Sequence, residues 1–307
     1  MLKLSLKSLL LFVLLIHQCR ADEDIISHHL SDSYSGPIIL LTKKGFDVFA
    51  PSRFFNEEGE KVDYKGYYLN EHGRVESRYG ESFIDLSLTK NILWMLLSVF
   101  ILILLFLFCG SWYRRHSFTK APHGIVNALE MIVLMLLDDI KMNIGEKYKT
   151  FSPFLLTLFF FIWINNMLGL LPGAGNVTGS ISVTACLALM TFLVVNFNGS
   201  KHYFKDIFSP NIPVLLYPII VPIEIIGVFT KPFTLMLRLF ASMTSGHIVI
   251  FGIISMGFLF NSLFADFFVV ILTAVMLVLE FMVSFLQAYI FFLFSSVYIG
   301  AAVKEKE

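Results

Sequence analysis

Polar and apolar positions in this 307-residue chain segregate into long blocks. Beyond residue 91 the sequence is a series of apolar runs joined by short polar connections: Leu93 to Gly110, Phe154 to Leu171, Ile181 to Phe197, and two much longer segments, Ile212 to Phe260 and Phe267 to Val303. The first three suit membrane spans, since about 20 apolar residues cross a hydrocarbon core of about 30 Å. The last two are too long for ordinary spans: a helix from Ile212 to Phe260 would measure about 70 Å. Either such a segment crosses twice or it lies steeply tilted. A double crossing needs a polar turn, for which Thr230-Lys231-Pro232 is the sole candidate, and it would invert the C-terminal tail. Two long oblique helices forming a hairpin, kinked near Pro218, Pro222 and Pro232, are therefore expected.

Between the first two runs, the stretch from Val126 to Asp139 carries Glu130, Asp138 and Asp139. It is too short and too charged to cross, which predicts an interfacial helix along the membrane surface. Residues 22–90 form the one water-soluble block, where alternating Tyr, Val and Phe with Lys43-Lys44-Gly45 and Asn70-Glu71-His72-Gly73 as turn signals predict one or two β-hairpins. Ahead of it, two early lysines, a short apolar core from Leu9 to Ile16 and the small residues of Cys19-Arg20-Ala21 read as a secretory signal peptide, residues 1–21, cleaved before Asp22. A short first transmembrane helix is the competing reading, but that core falls well below spanning length. The expected fold is an all-α integral membrane protein. Five transmembrane helices, including the long tilted hairpin, occupy residues 91–303, with an interfacial helix, a small extracytoplasmic N-terminal block and a cytoplasmic tail at 304–307.

Composition agrees. The chain is 56% hydrophobic and 15% charged with 33 Phe, against a globular average of roughly 45–50% apolar and about 25% charged. Its 23 basic and 23 acidic residues balance, so no basic field exists for nucleic acid. The cysteines Cys19, Cys109 and Cys186 lack paired spacing, and His28-His29 has no further ligand at metal-binding spacing, so neither a disulfide framework nor a metal centre nor a cofactor is expected. A catalytic ATPase is excluded because the chain contains no Gly-Lys-Ser/Thr phosphate loop.

Lys and Arg fall in alternate connections. Arg114, Arg115 and Lys120 follow the first run, none lies in 172–180, Lys201 and Lys205 follow the third, none lies in 261–266, and Lys304 and Lys306 end the chain. The positive-inside rule then places the N-terminal block outside and the C-terminus in the cytoplasm of a bacterial-type inner membrane.

Against this background Arg238 stands out, flanked by leucines in an apolar run. A cation at that depth costs at least about 2.5–3.5 kcal/mol, so an intramembrane ionisable residue is a functional-site candidate by default. Glu224, Lys231 and Arg238 are spaced by seven and seven, which keeps them on one stripe to within about 20° per heptad. Glu280 and Gln287 repeat that spacing on the final helix, with Ser284 between them. Such stripes can line a wet path, although Glu224 and Lys231 could also simply pair near an interface by snorkelling.

The stretch Lys231-Pro-Phe-Thr-Leu-Met-Leu-Arg-Leu-Phe-Ala-Ser-Met-Thr-Ser-Gly-His closely resembles the core motif of subunit a of F-type rotary ATP synthases. Asn165-Asn166-Met-Leu-Gly-Leu-Leu-Pro and Leu286-Gln287-Ala-Tyr-Ile-Phe resemble that family's other two hallmark segments, in the same order. The resemblance implies a stationary, non-catalytic proton-channel subunit facing a ring of c-subunit proteolipids, alongside peripheral-stalk b subunits, an F1 sector and membrane lipid. It implies that Arg238 meets the carboxylate of each passing ring helix and blocks leakage between two offset half-channels, and that Gln287 supports it. Glu224, His247, Glu280 and Asn165 or Asn166 would line the access paths. Ala241-Ser242 departs from the commoner Gly-Asn and removes an amide near the arginine. An autonomous secondary transporter would show duplicated halves, which the chain lacks, and an inert scaffold would not need Arg238, Glu280 and Gln287 in phase.

Overall fold

The computed structural model describes residues 37–42, 45–54, 62–70, 75–78, 84–85, 87, 89–115, 124–171, 174–208, 217–260 and 263–303. The signal-peptide reading, His28-His29, the C-terminal tail and several connections lie outside them. The described residues fall into two compact units. One comprises those up to Leu97 with Leu168–Val177 and Ile248–Val278; the other comprises Ser98–Met167, Thr178–His247 and those from Leu279 onward.

In the first unit β1 (Ile38–Thr42) pairs antiparallel with β2 (Gly45–Phe49), and β3 (Tyr67–Leu69) pairs antiparallel with β4 (Val75–Ser77). The two pairs flank the two turn signals. β5 (Ile84–Asp85) adds to β1, giving a sheet of order β2-β1-β5. Strand periodicity selects what is buried: Ile38 and Leu40 point inward from alternate positions of β1. Phe49 then closes a small aromatic core, its ring centroid 5.6 Å from Phe54, 5.5 Å from Tyr64 and 6.1 Å from Tyr67.

The helices are α1 (Lys90–Arg115), α2 (Ile125–Ile144), α3 (Tyr148–Gly169), α4 (Ile181–Phe197), α5 (Lys201–Phe208), α6 (Tyr217–Phe260) and α7 (Leu263–Val303). Among the described residues four stretches are long and apolar enough to cross a membrane, Lys90–Arg114, Ile125–Gly169, Tyr217–Gly257 and Asp266–Val303, and Ile181–Phe197 is a shorter apolar helix. This is a mostly helical, multi-pass membrane protein. α6 holds 44 residues and runs unbroken through Pro222 and Pro232, so Thr230-Lys231-Pro232 is helix and not a turn. Proline removes one helical donor, and around Pro232 the Thr230 and Thr234 hydroxyls donate to Ile226 O and Thr230 O, each at 2.8 Å.

α2, the stretch expected along the surface, continues through a single 3-10 turn (Gly145–Lys147) into α3 and buries one stripe, Val126, Leu129, Leu136, Ile140 and Ile144. Its charges sit at the margin: Lys141 pairs with exposed Asp138 at 3.1 Å, and Asp139 accepts a hydrogen bond from Tyr289 of α7 at 3.1 Å. Small residues let the two helices close, as membrane helices require where apolar surface alone gives no driving force. At Gly300 an added Cβ would stand 2.9 Å from the backbone carbonyl carbon of Asn143, and the Asn143 amide donates to Ser296 Oγ at 3.3 Å. Phe159 of α3 is the hub of the second unit's core, with edge contacts to Phe160 at 5.2 Å, Phe285 at 5.7 Å and Phe292 at 6.1 Å. Each such pair contributes about 0.5–1.5 kcal/mol beyond area burial. Together they fix α3 against α7 and so set the height of the residues one to two turns above.

Candidate functional site

The candidate site residues Asn165, Asn166, Glu224, Lys231, Arg238, His247, Glu280, Ser284 and Gln287 fall in the second unit, on α3, α6 or α7. The α6 and α7 segments there are antiparallel neighbours: Lys231 meets Tyr298, Arg238 meets Phe294, and Gly246 meets Glu280.

Arg238 is half-buried. Its guanidinium carbon lies 4.7 Å from the centroid of the Phe294 ring, and among the described residues no carboxylate lies within ion-pair distance of it. One heptad earlier, Lys231 Nζ lies 5.5 Å from the Tyr298 ring centroid. Glu224 is exposed and makes no ion pair with Lys231 among the described residues, so the snorkelling pair is not formed. Glu224 stands near Tyr203 of α5: burial first, and the Glu224 charge second, push the Tyr203 phenol above its usual range. Thr191, Asn196, Tyr203, Lys231 and Tyr298 contribute to the lining of a small, half-open pocket beside this end of the stripe.

Farther along, both carboxylate oxygens of Glu280 are buried without a hydrogen-bond partner among the described residues, as are His247 Nε2 and Thr244 Oγ1. Glu280 packs its carboxyl group on the bare Cα of Gly246, the residue before His247, and an added Cβ there would stand 3.0 Å from the carboxyl carbon. No hydrogen bond joins His247 to Glu280, nor Arg238 to Gln287. Gln287 is 6% exposed with its amide nitrogen unpartnered, and Ser284 Oγ is likewise orphaned. Asn165 donates to Phe161 O at 2.8 Å and Asn166 to Ser284 O of α7 at 3.2 Å, yet the side-chain oxygen of each asparagine has no partner.

Buried polar groups in native structures are nearly always hydrogen-bonded, and an unpaired one costs about 1–3 kcal/mol. A concentration of orphaned acid, imidazole, amide and hydroxyl atoms on three facing helices suits water and moving protons. Sequence reasoning missed Phe294, Tyr298, Thr244 and the contact role of Gly246. Aromatic rings in a chain with 33 Phe carry no distinguishing pattern, and only the pairing of α6 with α7 reveals which two lie under the cations.

The family profile described as ATP synthase A chain matches residues 92–300. The chain is 41% identical over 256 residues to an ATP synthase subunit a of Chloroherpeton thalassium, covering 81% of this chain and 75% of that protein. It is 41% identical over 223 residues to an ATP synthase subunit a of Chlorobium phaeobacteroides strain BS1, covering 70% of this chain and 66%, just under two thirds, of the relative's own length. An ATP synthase subunit a of Myxococcus xanthus is 38% identical over 243 residues, with 76% of this chain and 79% of the relative covered.

Proposed function

The chain belongs to the ATP synthase subunit a family, and we propose that it is the stationary proton-conducting subunit of a rotary F-type ATP synthase. The observation that carries the reading is Arg238. It is a cation in the apolar sector with no carboxylate partner among the described residues, beside a line of buried, unpartnered proton-handling groups.

The chemistry follows from that placement. A fixed cation favours the ionised form of an approaching carboxylate, so a protonated carboxyl group on a ring helix releases its proton as it reaches Arg238. The same charge repels a proton moving directly from one half-channel to the other. Glu280 and His247, with Asn165, Asn166 and Ser284, line one access path; Glu224 lies on the other; Gln287 supports the arginine from α7. The chain itself performs no bond chemistry on nucleotide.

In this reading α1, α3, α4, α6 and α7 make five crossings. α4 has 17 residues, about 26 Å of helix, which a slight thinning of the bilayer accommodates. The alternating Lys and Arg content of the connections supports an external N-terminal block after a cleaved signal peptide and a cytoplasmic C-terminus in a bacterial inner membrane. Proteolipid ring subunits, peripheral-stalk subunits and an F1 sector are the partners. Purification of the tagged chain in mild detergent tests this assignment. Co-isolation of a small proteolipid ring and soluble nucleotide-binding subunits is expected; a lone chain that transports ions after reconstitution would overturn it.

A further inference from the structure

A guanidinium held in the membrane needs electrostatic compensation. A carboxylate of the same chain would supply it, but it would also occupy the N–H donors that a visiting carboxylate must find. An aromatic face compensates differently: its quadrupole attracts the cation through the ring face, while the guanidinium's donors lie in its own plane and stay free.

The second solution is the one built around Arg238. Its central carbon is 4.7 Å from the Phe294 centroid, within the range in which cation–π attraction operates. Phe294 is stacked on Tyr298, one turn away on α7, with centroids 6.0 Å apart and planes at 24°, and Tyr298 faces Lys231. Both cations of the α6 stripe thus rest on one aromatic pair. The rotation of α7 is fixed beneath them by Phe291, Phe292, Ser295 and Ser296, all 1% exposed or less. Rigid support of this kind keeps a functional group within the tolerance its task demands.

We propose that Phe294, extended by Tyr298, is a positioning residue for the stator arginine, holding the Arg238 cation in place while leaving its donors free for the ring carboxylate. This rests on the reading of Arg238 given above.

The test replaces Phe294 in the whole complex with mono-, di- and trifluorinated phenylalanines, which weaken the ring quadrupole while nearly conserving volume. ATP-driven acidification of inverted vesicles is measured per assembled complex. The rate is expected to fall stepwise with fluorination, to roughly a tenth at the trifluorinated ring, and Phe294→Tyr is expected to pump faster than Phe294→Leu. A rate independent of fluorination, or equal rates for the Tyr and Leu variants, overturns the proposal. If the trifluorinated complex fails to assemble, the mono- and difluorinated pair carries the same comparison. Arg238→Ala is run alongside: if it abolishes pumping while the fluorine series is flat, the platform alone is wrong, and if it pumps normally the stator reading itself fails.

Discussion

The carboxyl group of Glu280 occupies the space where a side chain at Gly246 would stand, 3.0 Å from carboxyl carbon to the position of an added Cβ. Glycine at this point of α6 therefore sets how near an acid on α7 comes to the helix turn that carries His247. Helical glycine costs about 1 kcal/mol relative to alanine, so the close approach is obtained at the expense of helix propensity.

Gly246→Ala is expected to displace the carboxyl group without unfolding the pair, because the atoms met belong to the end of a flexible side chain. Proton flux should slow while subunit content stays normal. Glu280→Asp, shorter by one methylene, should restore part of the flux in the Gly246→Ala background, a coupling expected of residues in contact. Additive losses in the double variant would show that the two positions act independently.

Glu280→Gln keeps the volume and removes a titrating group. Assembly should be intact, ATP-driven pumping slower, and the pH profile of pumping should lose the contribution of that group. A profile identical to the parent's from mildly acid to alkaline pH would leave Glu280 a structural residue only.

Gly300→Ala should behave in the opposite way. Here the added Cβ meets the Asn143 backbone, which cannot swing aside as a side chain does. Overpacking of this kind costs about 1–3 kcal/mol, so the complex should lose the subunit at lower temperature in detergent, while the surviving complexes pump at the parental rate. Undiminished thermal retention of the subunit would contradict the close packing of α2 on α7.

Much of this was legible in the sequence, and the reasons are physical. Membrane helices announce themselves by uninterrupted apolar length, so the two long helices were visible, including the continuity of α6 through Lys231. Turn chemistry located the gaps between β1 and β2 and between β3 and β4. The heptad spacing of Glu224, Lys231 and Arg238 puts them on one side of α6, and that of Glu280 and Gln287 puts them on one side of α7, because a helix repeats nearly every seven residues. What stayed hidden depends on partners from distant sequence. Nothing in the sequence of α2 records that Asp139 accepts a hydrogen bond from the Tyr289 hydroxyl of α7. The pairing of Glu224 with Lys231 was plausible by spacing, but Lys231 lies over Tyr298 instead. Gly246 appeared only as one letter of a motif, since nothing in a helix's own sequence records which side chain of a neighbour leans on it.

The central claim is that Arg238 is a stationary charge that meets a moving carboxylate and keeps two proton paths apart. Inverted vesicles carrying fully assembled complexes with Arg238→Ala, verified by subunit content, are given ATP and their interior pH is followed. The account predicts no acidification, with Arg238→Lys nearly as deficient, because a flexible ammonium lacks the planar, always-charged fork. Normal acidification by the assembled Arg238→Ala complex would contradict it.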